Sequence, residues 1–214
     1  MRQRAAASLL YQSQYAEPAF RNLLNLIFLK IVGQILAFYR RVMSFIKYIS
    51  NEQHYSEVLS LASKCKESLC IGTADIKDLH VKVGDTQEPF LMIVSELLKR
   101  GVDVMLIHAK EPGPNFREDF DRFPILFTKL RRVLCPRVHF KILIFDTSVV
   151  YIGSANLTGA GMGMKSPFTR NFEAGILTDD PQLLEDACHQ YFDVFFGEHC
   201  KKRKRRQYST DPVK

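Results

Sequence analysis

The sequence has few cysteines, and their spacing argues against a disulfide-linked protein and against a zinc-binding one. Five cysteines are scattered through 214 residues, and no C-x-x-C pair occurs among them. An odd, widely spaced set does not describe a disulfide framework, and it gives little support to a zinc site. We therefore expect reduced thiols and a cytoplasmic location.

The sequence also lacks a charge-free apolar run long enough to cross a membrane. Residues 23–48 are strongly apolar, but Lys30 interrupts them, and no cleavage-like site of a secretory signal follows the first residues closely. The pattern predicts one long amphipathic helix, Leu23–Tyr48. Three interpretations stay open: the helix packs on the domain or across a dimer, lies on an anionic membrane surface, or spans a membrane.

The net charge of +7 is placed at the two ends of the chain. Residues 1–51 carry seven Lys/Arg and one Glu, and residues 201–214 carry seven Lys/Arg and one Asp, so each end is net +6. Residues 52–200 carry 16 Lys/Arg and 21 Asp/Glu, net −5. Total charge therefore does not by itself indicate nucleic-acid binding. We predict an N-terminal helical segment (1–51), a catalytic domain (52–200) and a basic tail.

Within the tail, the run Lys201–Arg206 consists of six consecutive positive charges. Such a run is usually solvated, but it also suits nucleic acid or an anionic lipid surface. Residues 22–48 and 201–206 are thus the two segments that could bind an anionic membrane surface.

The body of the chain alternates helix and strand patterns, which predicts an α/β fold. The predicted elements are a polar helix at Ser50–Ser68, a strand at Ser68–Ala74, a loop at Asp75–Glu88, a helix at Phe90–Arg100, a strand at Asp103–His108, a helix at Phe116–Val133 with a break at Pro124, a strand at Asn171–Thr178 and a helix at Gln182–Phe196. The first strand–helix–strand succession predicts a parallel pair with a right-handed crossover.

The most informative stretch is Val138–Gly161, VHFKILIFDTSVVYIGSANLTGAG. Two short β-rich runs separated by Asp-Thr-Ser predict a hairpin. Polar and small residues stand at fixed offsets along it: His139, Lys141, Asp146, Gly153, Ser154 and Asn156. Because residues i and i+2 share a strand face, we expect the first two to project together.

This set of side chains suits chemistry at phosphorus. An imidazole, a fixed cation, backbone N–H groups and the Asn156 amide would gather at one end of a sheet, where they could bind and stabilise phosphate oxygens. A histidine alone is more often an ordinary core residue. The six-position spacing is far more specific than any single member of it.

The spacing resembles the HKD motif of the phospholipase D superfamily at every motif position, and the similarity extends over about Cys70–Gly197. The resemblance implies a mixed β-sheet flanked by helices, here preceded by the long N-terminal helix. The motif occurs once in this chain, as in the small nuclease-type members that pair two copies by homodimerising. It therefore implies a homodimer that shares one active site.

The resemblance also implies a role for each residue. His139 would attack phosphorus and form a phosphohistidine, while the partner subunit's His139 would protonate the leaving oxygen and then activate water. Lys141 and Asn156 would hold phosphate oxygens, assisted by Ser154, and Asp146 would mainly organise the site. Glu173 stands where the family pattern has a carboxylate or amide, and it would orient the imidazole. Neither metal nor cofactor is required.

The loop after the motif, at residues 159–170, is rich in Gly, Met and Ser and contains Lys165 and Arg170. With Gly153 and Ser154, these cations are candidate substrate-binding residues, because they could meet an extended phosphodiester. We predict a metal-independent phosphodiesterase, preferably a nuclease. The alternatives are a lipid phosphodiesterase at a membrane surface and a phosphate- or nucleic-acid-binding module without turnover.

Overall fold

The structure is a computed structural model that describes most of the chain from residue 44 to residue 198. The described residues are 22, 25–34, 44–77, 79–83 and 85–198. The basic tail at 201–214 and residues 35–43 of the predicted N-terminal helix lie outside them.

The chain divides into two units, Met1–Ser44 and Phe45–Lys214. In the first unit residues 25–34 are helical, as predicted, and nearly all of their side chains are exposed. Within the described ranges, no helix combines the length and the apolar character that crossing a bilayer requires. The second unit contains the sheet and the motif.

Eleven strands are present in the described part of the second unit. In chain order they are β1 (Ile46–Ser50), β2 (Ser68–Thr73), β3 (Ile76–Lys77), β4 (His80–Val83), β5 (Thr86–Pro89), β6 (Asp103–His108), β7 (Arg131–Leu134), β8 (Lys141–Phe145), β9 (Val149–Gly153), β10 (Leu157–Thr158) and β11 (Ala174–Thr178). Seven of them form the main sheet in the order β1-β11-β9-β8-β2-β6-β7, and β3 pairs with β10 and β4 with β5 in two small sheets.

Helices connect and cover these strands. They are α1 (a π-helical turn, His54–Leu59, continued by Ser60–Ala62), α2 (Phe90–Lys99), α3 (Pro114–Asp121), α4 (Ile125–Lys129) and α5 (Pro181–Phe195). Helix α5 begins where the Asp-Pro signal places it. The Asp180 side chain accepts hydrogen bonds from the backbone N–H groups of Gln182 (3.1 Å) and Leu183 (3.0 Å), which caps the helix.

The main sheet is mixed. Strands β2, β6 and β7 are parallel, whereas β8 runs antiparallel to β2, and β9, β11 and β1 continue the antiparallel arrangement. The predicted parallel pair of β2 and β6, with α2 between them, is confirmed. The predicted hairpin of β8 and β9 is confirmed as well.

Two segments predicted as helix are strands instead. Ile46–Tyr48, predicted as the end of the N-terminal helix, belongs to β1, which pairs with β11 and buries Ile49 completely. The sheet therefore begins before the predicted domain boundary after residue 51, and the two units divide between Ser44 and Phe45. Arg131–Val133, predicted as the end of a helix, belongs to β7, which pairs with β6. In both cases backbone pairing with a neighbouring strand overrides the helical periodicity of the side chains.

The predicted loop at 75–88 is also more regular than expected. It contributes β3, β4 and β5, and the antiparallel pair β4–β5 leads directly into α2. Its polar composition and its Gly-Asp dipeptide predicted a loop. Short edge strands need little apolar surface, so the composition of this segment does not reveal them.

The two faces of the sheet are covered by different helices. Along β8, Leu143 and Phe145 belong to a core cluster that includes α1 and α2 residues, while Ile142 and Ile144 pack on the other side with Tyr191 of α5. This alternation is the period of a strand buried on both faces. It fixes the register of β8 and hence the position of the motif.

The register also brings together, at one edge of the sheet, the strand ends that carry the motif residues. Thr73 at the end of β2 pairs with His108, while Lys141 at the start of β8 pairs with Gly153 at the end of β9, which in turn pairs with Gly175. We call this the site edge. The opposite edge holds the starts of β2 and β6 and the end of β8, and we call it the far edge.

Candidate active site

His139 lies at the site edge, is exposed, and stands two residues before the first residue of β8. The strand begins only at Lys141, so His139 lies outside the strand on which the two residues were expected to share a face. They are joined instead by a hydrogen bond, in which Lys141 Nζ donates to the carbonyl oxygen of His139 (2.7 Å). The cation therefore fixes the backbone that carries the imidazole.

Lys141 is 6% exposed, which is unusual for a lysine. Burial lowers the pKa of its ammonium, and the nearby Glu173 carboxylate opposes this shift. A buried cation beside an exposed imidazole can meet a phosphate oxygen with little competition from water.

Glu173 lies just before β11 and is held by two side chains. Ser154 Oγ donates to one carboxylate oxygen, and Asn171 Nδ2 donates to the other (3.0 Å). The serine hydroxyl also accepts from the backbone N–H of Ala174 (3.1 Å), so the end of β9 is tied to the start of β11. The expected contact, in which the His139 imidazole would donate to the Glu173 carboxylate, is not formed between these two described residues. Glu173 organises Ser154 here.

Asn156 is oriented by the end of β2. Its side-chain oxygen accepts from the backbone N–H of Asp75 (3.3 Å) and lies 3.5 Å from Thr73 Oγ1. Thr73 Oγ1 in turn accepts from the backbone N–H of Leu157 (3.1 Å) and is buried. With its oxygen engaged, the amide keeps its NH₂ group for an anion. Sequence reasoning missed Thr73 and Asp75, although their place at the end of a predicted strand was the available signal.

Gly153 is required by packing. A Cβ at this position would lie 2.1 Å from Tyr151 Oη and 2.8 Å from the carbonyl oxygen of Ala174. The buried Tyr151 ring thus fills the space beneath the turn that carries Ser154 and Asn156. The glycine lets that turn approach the neighbouring strand closely.

Two buried polar side chains below the site were also missed. His54 Nδ1 hydrogen-bonds the carbonyl oxygen of Asn51 (2.9 Å), while His54 Nε2 has no hydrogen-bond partner among the described residues. Burial lowers the pKa of His54, while the Asn51 hydrogen bond and the charge of Glu173 act in the opposite direction. The rings meet edge to face at 5.4 Å. Tyr151 lies within the motif stretch, but His54 comes from a distant part of the chain, and no local pattern links the two residues.

Asp146 is not part of this group. It follows β8 at the far edge, where its carboxylate accepts from the backbone N–H groups of Lys66, Glu67 and Ser68 at 2.8–3.0 Å. Burial raises the pKa of Asp146, but these donors outweigh it and hold the pKa below its ordinary value. The structure thus places Asp146 as a brace between two chain turns, separated from His139 by the length of a strand.

The two predicted substrate-binding cations differ in their surroundings. Arg170 is ion-paired with Glu52 (2.8 Å), and the loop is packed there, because Gly163, at φ +73°, lies against the Asn51 carbonyl. Lys165 is exposed in the same loop. Of the predicted residues, the structure therefore brings together His139, Lys141, Ser154, Asn156 and Glu173 at one edge.

A mixed sheet that carries an exposed histidine, a buried lysine and an oriented asparagine at one edge defines an α/β protein of the phospholipase D type. A family model described as "Cardiolipin synthase, PLD-like domain" matches residues 58–196, more than half of the chain. The chain belongs to this phospholipase D-like family. The predicted resemblance and the predicted fold class are confirmed.

Two solved structures share the fold. NucT from Helicobacter pylori matches with a TM-score of 0.53 and 16% identity, over 70% of this chain and 94% of its own. Nuc from Salmonella typhimurium, a phospholipase D family member, matches with a TM-score of 0.54 and 18% identity, over 80% of this chain and 99% of its own. At these identities the likeness is one of fold. Among the curated proteins compared, none matches the chain.

Proposed function

We propose that the protein is a phosphodiesterase that works without a metal ion through a phosphohistidine, and that its substrate is nucleic acid. The observation that carries the proposal is the hydrogen bond between Lys141 and the backbone of His139. It joins a buried cation to an exposed nucleophile at the edge where Asn156 and Ser154 also lie. Within the described residues, no group of three or more His, Cys, Asp and Glu side chains could hold a metal ion.

In this mechanism His139 attacks phosphorus and the bond to the leaving oxygen breaks, with a second histidine donating the proton. Lys141 and the Asn156 amide neutralise the phosphate oxygens, where charge accumulates in the transition state. Water, deprotonated by the second histidine, then attacks the phosphohistidine and releases the phosphate product. Each chain carries one motif histidine, so the second must come from another subunit.

An uncovered apolar sheet face supports such a dimer. Tyr48, Ile176 and Ile152 form a cross-strand row on β1, β11 and β9, on the side where α5 packs, and Ile46 adjoins them. All four side chains are exposed. A contiguous apolar patch of this kind is typical of a subunit interface.

The substrate class is argued from the motif count and the local charge. A single motif resembles the small nuclease-type members, and four exposed cations lie at or near strand ends at the site edge: Lys77, Lys110, Arg137 and Lys165. The first two of them share an ion pair with Asp75. The rival candidate is a lipid phosphodiesterase, which the description of the family model favours. A phosphate-binding module without turnover is the third, but it would need no exposed nucleophile.

The test is an assay in EDTA of the full chain against single-stranded DNA, RNA and an anionic phospholipid, with His139→Asn as the control. We expect cleavage of a nucleic acid that is lost in the variant. Turnover of lipid alone would transfer the proposal to the rival candidate. A requirement for added Mg²⁺ or Zn²⁺, or activity that survives in the variant, would contradict the mechanism.

A further inference from the structure

Two phenylalanines beside the site are almost completely exposed. Phe168 is 96% exposed and Phe172 is 94% exposed, far above the other exposed phenylalanines of the second unit, such as Phe127 at 55%. Leaving an aromatic ring in water forfeits the stabilisation that its burial would give. Both rings belong to the loop between β10 and β11, and neither is needed by the proposed chemistry.

The loop that carries Phe168 is held in place. Residues 166–170 form a closed turn, in which the backbone N–H groups of Thr169 and Arg170 donate to the carbonyl oxygen of Ser166 (2.9 and 3.0 Å). Arg170 pairs with Glu52, and the N–H of Asn171 donates to the Ala160 carbonyl oxygen (3.1 Å). Phe168 is therefore presented at the tip of an anchored turn, so a partner would bind it at a small entropic cost.

The same loop is bonded to the candidate active site. Asn171 Nδ2 donates to the Glu173 carboxylate, and Phe172 directly precedes Glu173 in the chain. Along the chain Phe172 is thus one residue from Glu173, and Phe168 is five residues from it in the same loop. Lys165 lies exposed in this loop, and Lys110 and Arg137 are exposed on neighbouring loops of the edge.

We propose that Phe168 and Phe172 stack on unpaired bases of a single-stranded polynucleotide, while the neighbouring cations meet its phosphates. This rests on the proposed function, which it deepens by naming the form of the substrate. Aromatic rings beside a cationic path bind single strands without reading sequence, because every base offers a π-face. In a duplex those faces are covered by stacking. An inserting membrane anchor would need more apolar surface than this turn offers, since Ser166 and Thr169 flank the tip.

Binding is measured on the full chain with His139→Asn, so that no turnover interferes. Fluorescence anisotropy compares a labelled oligothymidylate, an abasic strand of equal length and a duplex. We expect tight binding of the oligothymidylate and weaker binding of the other two. Phe168→Ala and Phe172→Ala should each weaken oligothymidylate binding by about tenfold and leave abasic-strand binding unchanged. Phe127→Ala, an exposed ring just before β7 and hence toward the far edge, is the matched control and should change neither.

Equal binding of the normal and abasic strands, or equal losses on both in the Phe variants, would overturn the inference. So would loss of dimer in the Phe168→Ala/Phe172→Ala variant by sedimentation velocity, which would assign the rings to a subunit contact. If the chain with both rings binds phosphatidylglycerol vesicles and the double variant does not, the two rings would instead be a membrane contact. Hydrolysis of bis(p-nitrophenyl) phosphate by the wild-type chain separates the two failures, because it tests the proposed reaction without any base to stack.

Discussion

Asp146 shows how a motif residue can serve the site from a distance. Its three backbone donors come from residues 66–68, which lead into β2 and include its first residue, and so it joins the end of β8 to the start of the strand beside it. Since Thr73 and Asp75 at the other end of β2 orient Asn156, the brace helps to fix the strand pair across which the site is built. Its effect on activity should therefore be indirect.

We expect Asp146→Asn to destabilise the fold by about 2 kcal/mol at neutral pH, because charge-assisted hydrogen bonds to three N–H groups are weakened. The pKa of Asp146 is lowered in the folded chain, so its contribution is present above the ordinary aspartate range and is lost as the pH falls through the lowered value. Urea denaturation from neutral to acid pH should show the wild-type advantage shrinking. Asp121→Asn, at an exposed position, is the control. An equal loss of stability in Asp121→Asn, or a loss in Asp146→Asn that persists at acid pH, would contradict this structural role of Asp146.

Lys141 yields a prediction about chemistry. Its buried ammonium fits a point contact with the His139 carbonyl, and the planar guanidinium of arginine needs more room and a different geometry. Lys141→Arg should keep the charge yet lower kcat by at least about 100-fold. Because burial lowers the pKa of Lys141, wild-type activity should also decline with rising pH before the ordinary lysine range of about 10.4 is reached.

Steady-state kinetics and a pH–rate profile on one nucleic-acid substrate measure both effects, with circular dichroism to check folding. Lys129→Arg, an exposed lysine that ends α4, should change neither quantity. Near-normal kcat in Lys141→Arg would show that any buried cation suffices.

At the residue scale the motif predicted which side chains meet, and the structure adds what holds them. His139, Lys141, Ser154 and Asn156 are close in sequence, so their spacing alone indicates a common site. Thr73 and His54 approach from distant parts of the chain through strand register and helix packing. No local pattern records such contacts, and for that reason sequence reasoning did not find them.

Among the elements, the turn between β8 and β9 is strained. Asp146 and Thr147 both adopt positive φ, +49° and +47°, and the Ser148 N–H donates to the Phe145 carbonyl oxygen (3.0 Å), as in a type I′ hairpin turn. This turn favours glycine at its second central position, and a β-branched residue is costly there. We expect Thr147→Gly to stabilise the fold by about 1 kcal/mol.

Thermal unfolding measures this effect as a rise in Tm of a few degrees. Thr128→Gly, the same substitution in the exposed helix α4, should lower stability instead. A loss of stability in Thr147→Gly would mean that the bond from its hydroxyl to the Asp146 carbonyl oxygen (2.8 Å) outweighs the strain.

The two strands that were predicted as helix are the first and last strands in the order of the main sheet, so each pairs with a neighbour on one side only. Both β1 and β7 carry basic residues, Lys47 in the first and Arg131 and Arg132 in the second. An edge strand pairs on one side only, and charged side chains protect its free side from further pairing. Such a sequence resembles an amphipathic helix, whereas the central strands β2, β6 and β8 are continuously apolar and were predicted correctly.

The position of β1 gives a prediction for truncation of the chain. Removing residues 1–44 leaves the sheet complete, so we expect cooperative unfolding close to that of the full chain. Removing residues 1–50 also deletes Ile49, which is fully buried, and uncovers the edge of β11. Loss of that side chain alone costs about 2–3 kcal/mol, and the free edge invites aggregation.

Calorimetry and light scattering on the two truncated chains test this difference. Equal behaviour of the two variants would contradict the role of β1. The shorter deletion also tests the N-terminal segment as a membrane element, since it should then release the chain from anionic vesicles while the fold stays intact. Loss of the dimer in that variant would favour packing of the segment between subunits.

For the whole molecule, the decisive question is whether two subunits share one site. A single motif histidine cannot both hold phosphorus and protonate the leaving group, and the row Tyr48–Ile176–Ile152 leaves an apolar face uncovered. If the site is shared, a mixed dimer of wild-type and His139→Asn chains lacks one of its two histidines. Adding excess variant should then lower activity per wild-type chain, by a factor close to the wild-type fraction after subunit exchange.

A matched control separates exchange from mere dilution. His139→Asn combined with Ile176→Lys places a charge in the apolar row, so this chain should sediment as a monomer and should not inhibit wild type. Because Ile176 is partly exposed in the single chain, the substitution should cost little stability. Activity that stays proportional to the number of wild-type chains in both mixtures would mean that each chain works alone, and the second proton donor would then have to come from its own residues.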